Sequence, residues 1–133
     1  METGWRAGSM VGLVSPTLLI VDDEKSTRDG LRTALEEKFD VYAAPDAAGA
    51  WQLLEKEPVD VLLTDLRMAG EDGLALIRKA KALPKPPVCI LMTAYGSEDL
   101  AVEAMKQGAD DYISKGRLQI DELELRIQRA LRR

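Results

Sequence analysis

The sequence predicts an α/β fold, a doubly wound parallel sheet of five strands with helices on both faces. Three observations predict it. Short, mostly apolar runs of strand length recur at Leu18–Val21, Val59–Thr64 and Val88–Met92, as strands buried on both faces require. Segments of helical period separate the runs, so successive strands are joined by crossovers and all point the same way. The runs end in polar residues, Asp22-Asp23, Asp65, Thr93 and, after a shorter fifth run, Lys115. In a parallel sheet those endings lie along one edge.

Met1 to Pro16 lack periodicity and carry three glycines, and the apolar stretch Met10–Val14 is too short for a signal peptide. Residues 1–16 are expected to be a flexible leader or a cloning scar, with Met10 as a second start, and residues 17–133 the folded domain. Leu18–Val21 is the first strand. Leu31, Ala34, Leu35 and Lys38 follow at helical spacing, and Val41–Ala44 is the second strand. Asp46 is placed to N-cap a helix over Ala47–Lys56, in which Trp51 and Leu54 share a stripe expected to face the core. The third strand is Val59–Thr64. A helix over Leu74–Leu83 is stopped by Pro84, and Pro86-Pro87 blocks any helix before the fourth strand, Val88–Met92. Ser97 caps a fourth helix that ends at Gly108. Asp111–Ser114 is the fifth strand, and Asp121–Arg132 is an amphipathic last helix with Leu123, Ile127, Ala130 and Leu131 on one stripe. Arg126, Arg129, Arg132 and Arg133 read as a solvated helix end that suits the helix dipole.

Composition limits the function. A chain of 133 residues suits one domain. No apolar stretch approaches the ~20 residues of a membrane-spanning helix. The net charge of -5 is spread along the chain, which argues against direct binding to nucleic acid. The single cysteine, Cys89, lies within an apolar run, so it reads as buried filler, and a reducing, cytoplasmic compartment fits. Histidine is absent, which removes the usual general base and the commonest zinc ligand. Chemistry must run on carboxylates, lysine or metal.

Right-handed crossovers with burial on both faces limit the chain to a doubly wound sheet, of which the order 2-1-3-4-5 is the common five-stranded form. The connections then reverse direction between the first and third strands, and a crevice opens where Asp22, Asp23 and Asp65 converge. Three carboxylates that close repel one another, and a hard divalent cation relieves the repulsion. Magnesium, which takes one or two protein carboxylates and keeps waters and phosphate oxygens, fits better than a fully caged calcium. An ionised carboxylate is also a nucleophile able to form an acyl phosphate, whose oxygens Thr93 and Lys115 would bind. Each residue alone has a plainer reading: Asp22 as a solvated strand end, Thr93 as a cap, Tyr112 as half-buried packing. The registered set of three carboxylates with a lysine is what favours a site.

The pattern Asp22-Asp23-Glu24 after an apolar strand, Thr64-Asp65-Leu66-Arg67-Met68 followed by Gly70 and Asp72-Gly73, Met92-Thr93-Ala94-Tyr95, and Asp111-Tyr112-Ile113-Ser114-Lys115 resembles the receiver domain of two-component response regulators. The resemblance runs from about Thr17 to Leu131, and Leu91 to Ser97 is similar to receivers of the nitrogen-regulation type. It implies the flavodoxin-like (βα)5 sandwich of the CheY-like superfamily. It implies further that Asp65 is the phosphoacceptor, that Asp23, Asp65 and the Arg67 backbone carbonyl bind Mg2+ directly with Asp22 acting through water, and that Thr93, Tyr112 and Lys115 form the switch. The partners implied are a sensor histidine kinase, an output domain or effector, and a second copy bound through the fourth helix, fifth strand and fifth helix. The expected role is a phosphoacceptor switch in transcriptional control rather than a conventional enzyme.

Two departures stand out. Gly116 replaces the proline that usually follows the family's lysine, and Ala69 replaces the proline two residues after Arg67, so looser loops are expected at both places. Arg67 and Tyr95 are expected to flank the site. A constitutive receiver-like dimerisation module is the alternative, with Gly116 as the sign of a decayed switch. An aspartyl phosphatase fits less well, because Leu66-Arg67 follows Asp65 where such enzymes resemble Asp-x-Asp.

Overall fold

The computed structural model describes residues 15–132 apart from 69, 95 and 118. Residues 1–14 of the expected leader, with Met10, lie outside the described residues, as do Ala69, Tyr95 and Arg133. The elements alternate as the sequence predicts: β1 Thr17–Val21, α1 Lys25–Leu35, β2 Asp40–Ala44, α2 Ala47–Lys56, β3 Val61–Asp65, α3 Gly73–Lys81, β4 Val88–Thr93, α4 Glu98–Lys106, β5 Asp111–Ser114 and α5 Ile120–Leu131. A 3-10 turn, Lys115–Arg117, precedes α5.

All pairings are parallel, in the order β2-β1-β3-β4-β5. Strand residues alternate between two cores, as period 2 dictates. Leu19, Val21, Leu62, Cys89 and Leu91 pack against α2, α3 and α4 through Ala50, Leu54, Leu76, Ile77, Ala80 and Ala104. Leu18, Ile20, Val61, Leu63, Ile90 and Met92 pack against α1 and α5 through Leu31, Leu35, Leu123 and Ile127. Burial of both faces leaves the strand ends as the places for polar groups.

Several boundaries differ from expectation for identifiable reasons. β3 starts at Val61 rather than Val59; Asp60 just before it bonds Thr17 O and Val88 N through its backbone, while its carboxylate, rather than a backbone carbonyl, takes the Thr17 amide at 2.7 Å. The same strand runs through Asp65, which pairs with Met92. α3 starts at Gly73, capped by Asp72, whose carboxylate accepts from Ala75 N at 2.9 Å. Asp46 and Ser97 cap α2 and α4 as expected, accepting from Gly49 N and Leu100 N. Trp51 is half-buried against the first core, with Lys79 Nζ 5.0 Å from its ring centroid. Arg126 is not a solvated helix end: it forks onto Asp111 (Nε to Oδ2 2.9 Å, Nη2 to Oδ1 2.5 Å) and donates to the Tyr112 carbonyl at 3.0 Å, fastening α5 to β5.

Candidate functional site

The crevice forms where β1 and β3 end side by side. β1 pairs with β2 and β3 through Val21, beyond which Asp22 N still reaches Ala44 O at 3.2 Å. Asp22 is fully buried, and its Oδ1 accepts from Glu24 N at 2.9 Å, turning the chain toward α1. Asp65 is 8% exposed, and its Oδ1 accepts from Leu66 N at 2.7 Å. Lys115, just past β5, donates from Nζ to Asp22 Oδ2 at 2.6 Å and to Asp65 Oδ2 at 3.0 Å. Burial pulls its ammonium down, but the hydrogen bonds to Asp22 and Asp65 outweigh that and hold its pKa above the ordinary lysine value.

Asp23 completes the set from the exposed rim, and among the described residues its carboxylate accepts no hydrogen bond. Asp22, Asp23 and Asp65 each offer an oxygen, and these lie within 4.8 Å of one another. The donors are hard anionic oxygens, one of them on the solvent side, so the residues fit a hard divalent cation that keeps part of its water shell. One ammonium against three carboxylates also leaves an excess of negative charge that such an ion would offset.

Asp22, Asp23, Asp65 and Lys115 meet. Thr93, fully buried, ends β4 on the same sheet edge. Arg67 is exposed in the loop two residues after Asp65. Tyr112 stands apart from the carboxylates on β5, half-buried, with its hydroxyl buried and, among the described residues, without a hydrogen-bond partner. That hydroxyl occupies the space of a side chain at Gly96, where a Cβ would overlap it and lie 3.1 Å from Cζ.

The supporting roles of three residues escaped the sequence reading. A Cβ at Gly73 would overlap the Asp65 carbonyl oxygen and lie 3.0 Å from its carbon, so only glycine lets α3 start this close to Asp65. Thr64 Oγ1 donates to the same carbonyl at 2.9 Å. Arg28 Nη1 donates to the Asp22 carbonyl at 2.8 Å. The Asp72-Gly73 pair was a signal for the first, as a capping residue followed by the smallest helix starter. The other two bind backbone carbonyls, which leave no mark in sequence.

A family model, the response regulator receiver domain, matches residues 18–128. The chain belongs to that family. This receiver is 39% identical over 115 residues to the regulatory protein AtoC of Escherichia coli, covering 86% of this chain and a quarter of AtoC's length (25%). Its fold superposes on a CheY-like response regulator receiver domain protein from Methanospirillum hungatei at TM-score 0.82 and 30% identity, covering 88% of this chain and 94% of that one. The beryllofluoride-activated NtrC4 receiver domain dimer matches at TM-score 0.81 and 30% identity, covering 87% and 96%, in keeping with the nitrogen-regulation resemblance.

Proposed function

We propose that this receiver is a phosphorylation switch in which Asp65 accepts a phosphoryl group from the phosphohistidine of a sensor histidine kinase. The observation that carries the reading is the Lys115 ammonium bridging Asp22 and Asp65 beside an exposed third carboxylate. A carboxylate oxygen of Asp65 attacks phosphorus, the bond from phosphorus to the histidine nitrogen breaks, and the imidazole leaves with the electron pair. Lys115, already 3.0 Å from Asp65 Oδ2, turns its charge to the phosphoryl oxygens, and the Thr93 hydroxyl joins it. Asp23, Asp65 and the Arg67 carbonyl would hold Mg2+, with Asp22 acting through water; bound there, it neutralises charge on the transferring group.

Phosphorylation adds about -1.5 to -2 charge at this point, which draws Thr93 and Lys115 inward. Moving a population from 1:99 to 99:1 takes about 5.5 kcal/mol, more than one charged hydrogen bond of about 1.5–3 kcal/mol supplies, so the two act together. The readout is the α4, β5 and α5 face, where Val102 and Met105 on α4 and Leu125 on α5 are exposed apolar groups available to a second copy, an output domain or an effector. Residues 17–133 form the switch unit, in the cytoplasm, with transcriptional control as the output. Among the described residues no helix is long and apolar enough to cross a membrane.

Intact mass after incubation with acetyl phosphate tests the reading. One magnesium-dependent phosphoryl adduct is expected on the protein and none on Asp65→Asn. No adduct with any small-molecule or histidine-kinase donor would replace it with the constitutive dimerisation module.

A further inference from the structure

We propose that Arg28 is a positioning residue for the metal-binding acid pair, fixing the Asp22-Asp23 backbone so that Asp23 presents its carboxylate to the ion. The inference deepens the reading of the crevice as a magnesium-assisted phosphoacceptor and rests on it.

Asp23 is exposed and its carboxylate accepts no hydrogen bond among the described residues, so its aim is set by the backbone that carries it. That backbone has left the sheet. The last paired residue of β1 is Val21, and the Asp22 amide makes the final contact, to Ala44 O at 3.2 Å. The Asp22 carbonyl, which shares a peptide plane with the Asp23 amide, lies beyond the sheet and needs a partner from elsewhere. Arg28 supplies it from the first turns of α1, Nη1 to O at 2.8 Å. The remaining restraints act on other atoms: Glu24 N binds the Asp22 side chain, and Glu24, the N-cap of α1, makes no side-chain capping bond. Arg28 N donates to Glu24 O at 3.1 Å, so the guanidinium closes a ring from the helix start back to the end of the strand.

Charge alone predicts the opposite sign. A guanidinium near the pocket repels a divalent cation, and its removal should tighten binding; a guanidinium that orients a ligand should weaken binding when lost. Groups that orient metal ligands from outside typically change affinity about 10- to 100-fold when mutated. Arg32 is a matched control: on the same helix it donates from Nη1 to the Val41 carbonyl at 3.3 Å, at the β2 side of the sheet.

The test is calorimetric titration of Mg2+ into the metal-free protein, Arg28→Met, Arg28→Lys and Arg32→Met, each with its urea midpoint. The expected result is a Kd weakened about tenfold in Arg28→Met, equivalent to about 1.4 kcal/mol, partial recovery in Arg28→Lys, and a value within about twofold of the parent in Arg32→Met. With acetyl phosphate, the Mg2+ concentration for half-maximal phosphorylation should rise in Arg28→Met while the rate at saturating Mg2+ stays near that of the parent. Parent-like or tighter Mg2+ binding by folded Arg28→Met, with normal binding by the parent, overturns the positioning role and leaves the phosphoacceptor reading standing. Absence of Mg2+ binding by the parent overturns both.

Discussion

Lys115→Met removes the one ammonium that bridges the two buried carboxylates while keeping most of the side-chain volume. Nζ lies 2.6 Å from Asp22 Oδ2 and 3.0 Å from Asp65 Oδ2, and Asp22 is fully buried. Removing one partner of a buried pair costs about 3–5 kcal/mol because the other charge stays behind. The crevice opens to water and Lys115 keeps 18% of its side-chain surface exposed, which brings the expected loss to about 2–3 kcal/mol. With a urea slope of about 1.5 kcal/mol/M, the midpoint in EDTA should fall by about 1.5 M. Asp22→Asn in the Lys115→Met background should recover part of the loss, since the amide oxygen can still accept from Glu24 N while the stranded charge is gone. Mg2+ at about 100 times its Kd should add about 2.7 kcal/mol to any form that binds it. Urea unfolding followed by circular dichroism reads all three effects. A Lys115→Met midpoint within about 0.3 M of the parent in EDTA, or a double variant less stable than Lys115→Met, would refute the charge-bridge reasoning.

Three other outcomes are expected. Thr93→Ala should keep the Asp65 adduct but show only part of the phosphorylation-induced change in amide chemical shifts; the full change would show that Lys115 suffices. Gly73→Ala should destabilise by about 1–3 kcal/mol, because its Cβ meets backbone at the Asp65 carbonyl rather than a yielding side chain, and calorimetric unfolding checks this. Burial pushes the Cys89 thiol up to about 12 from 9.0, so the folded chain holds a proton that the unfolded chain releases. That contribution to stability is complete below about pH 9 and is lost as pH rises toward 12, and Cys89→Ala should flatten this alkaline limb in urea midpoints taken from pH 8 to 10.5.

The sheet was legible because two-sided burial writes uninterrupted apolar runs, and the caps Asp46 and Ser97 because each rests on one local side-chain oxygen. Asp72 was less visible, since Glu71 stands beside it and the apolar period starts only at Leu74. Val59 misled for a tertiary reason: it is buried like a strand residue, yet the next residue turns its carboxylate to the Thr17 amide. The carboxylates, Thr93 and Lys115 were readable because a parallel sheet gathers strand ends whatever their separation in sequence. Contacts that depend on tertiary placement were not. Arg126 looked like a charge in solvent until Asp111, fifteen residues away, came beside it. Gly96 and Tyr112 share one volume that neither residue advertises alone.

Asp110 lies just before β5, at the far end of the sheet from the crevice. Its carboxylate takes Lys81 Nζ at 2.6 Å and Cys89 N at 2.8 Å, and its amide donates to Cys89 O at 2.7 Å, so the turn leaving α4 is riveted to α3 and β4. The opposite end of α4 begins at Ser97, which is exposed, as are Ala94 and Gly96. A rod fixed at one end moves as a lever. At about 1.5 Å per residue the nine residues of α4 span about 13 Å, and a swing of about 10° about Asp110 carries Ser97 through about 2 Å. A swing of α4 would therefore be greatest beside Thr93 and Gly96 and would fade to nothing at the rivet.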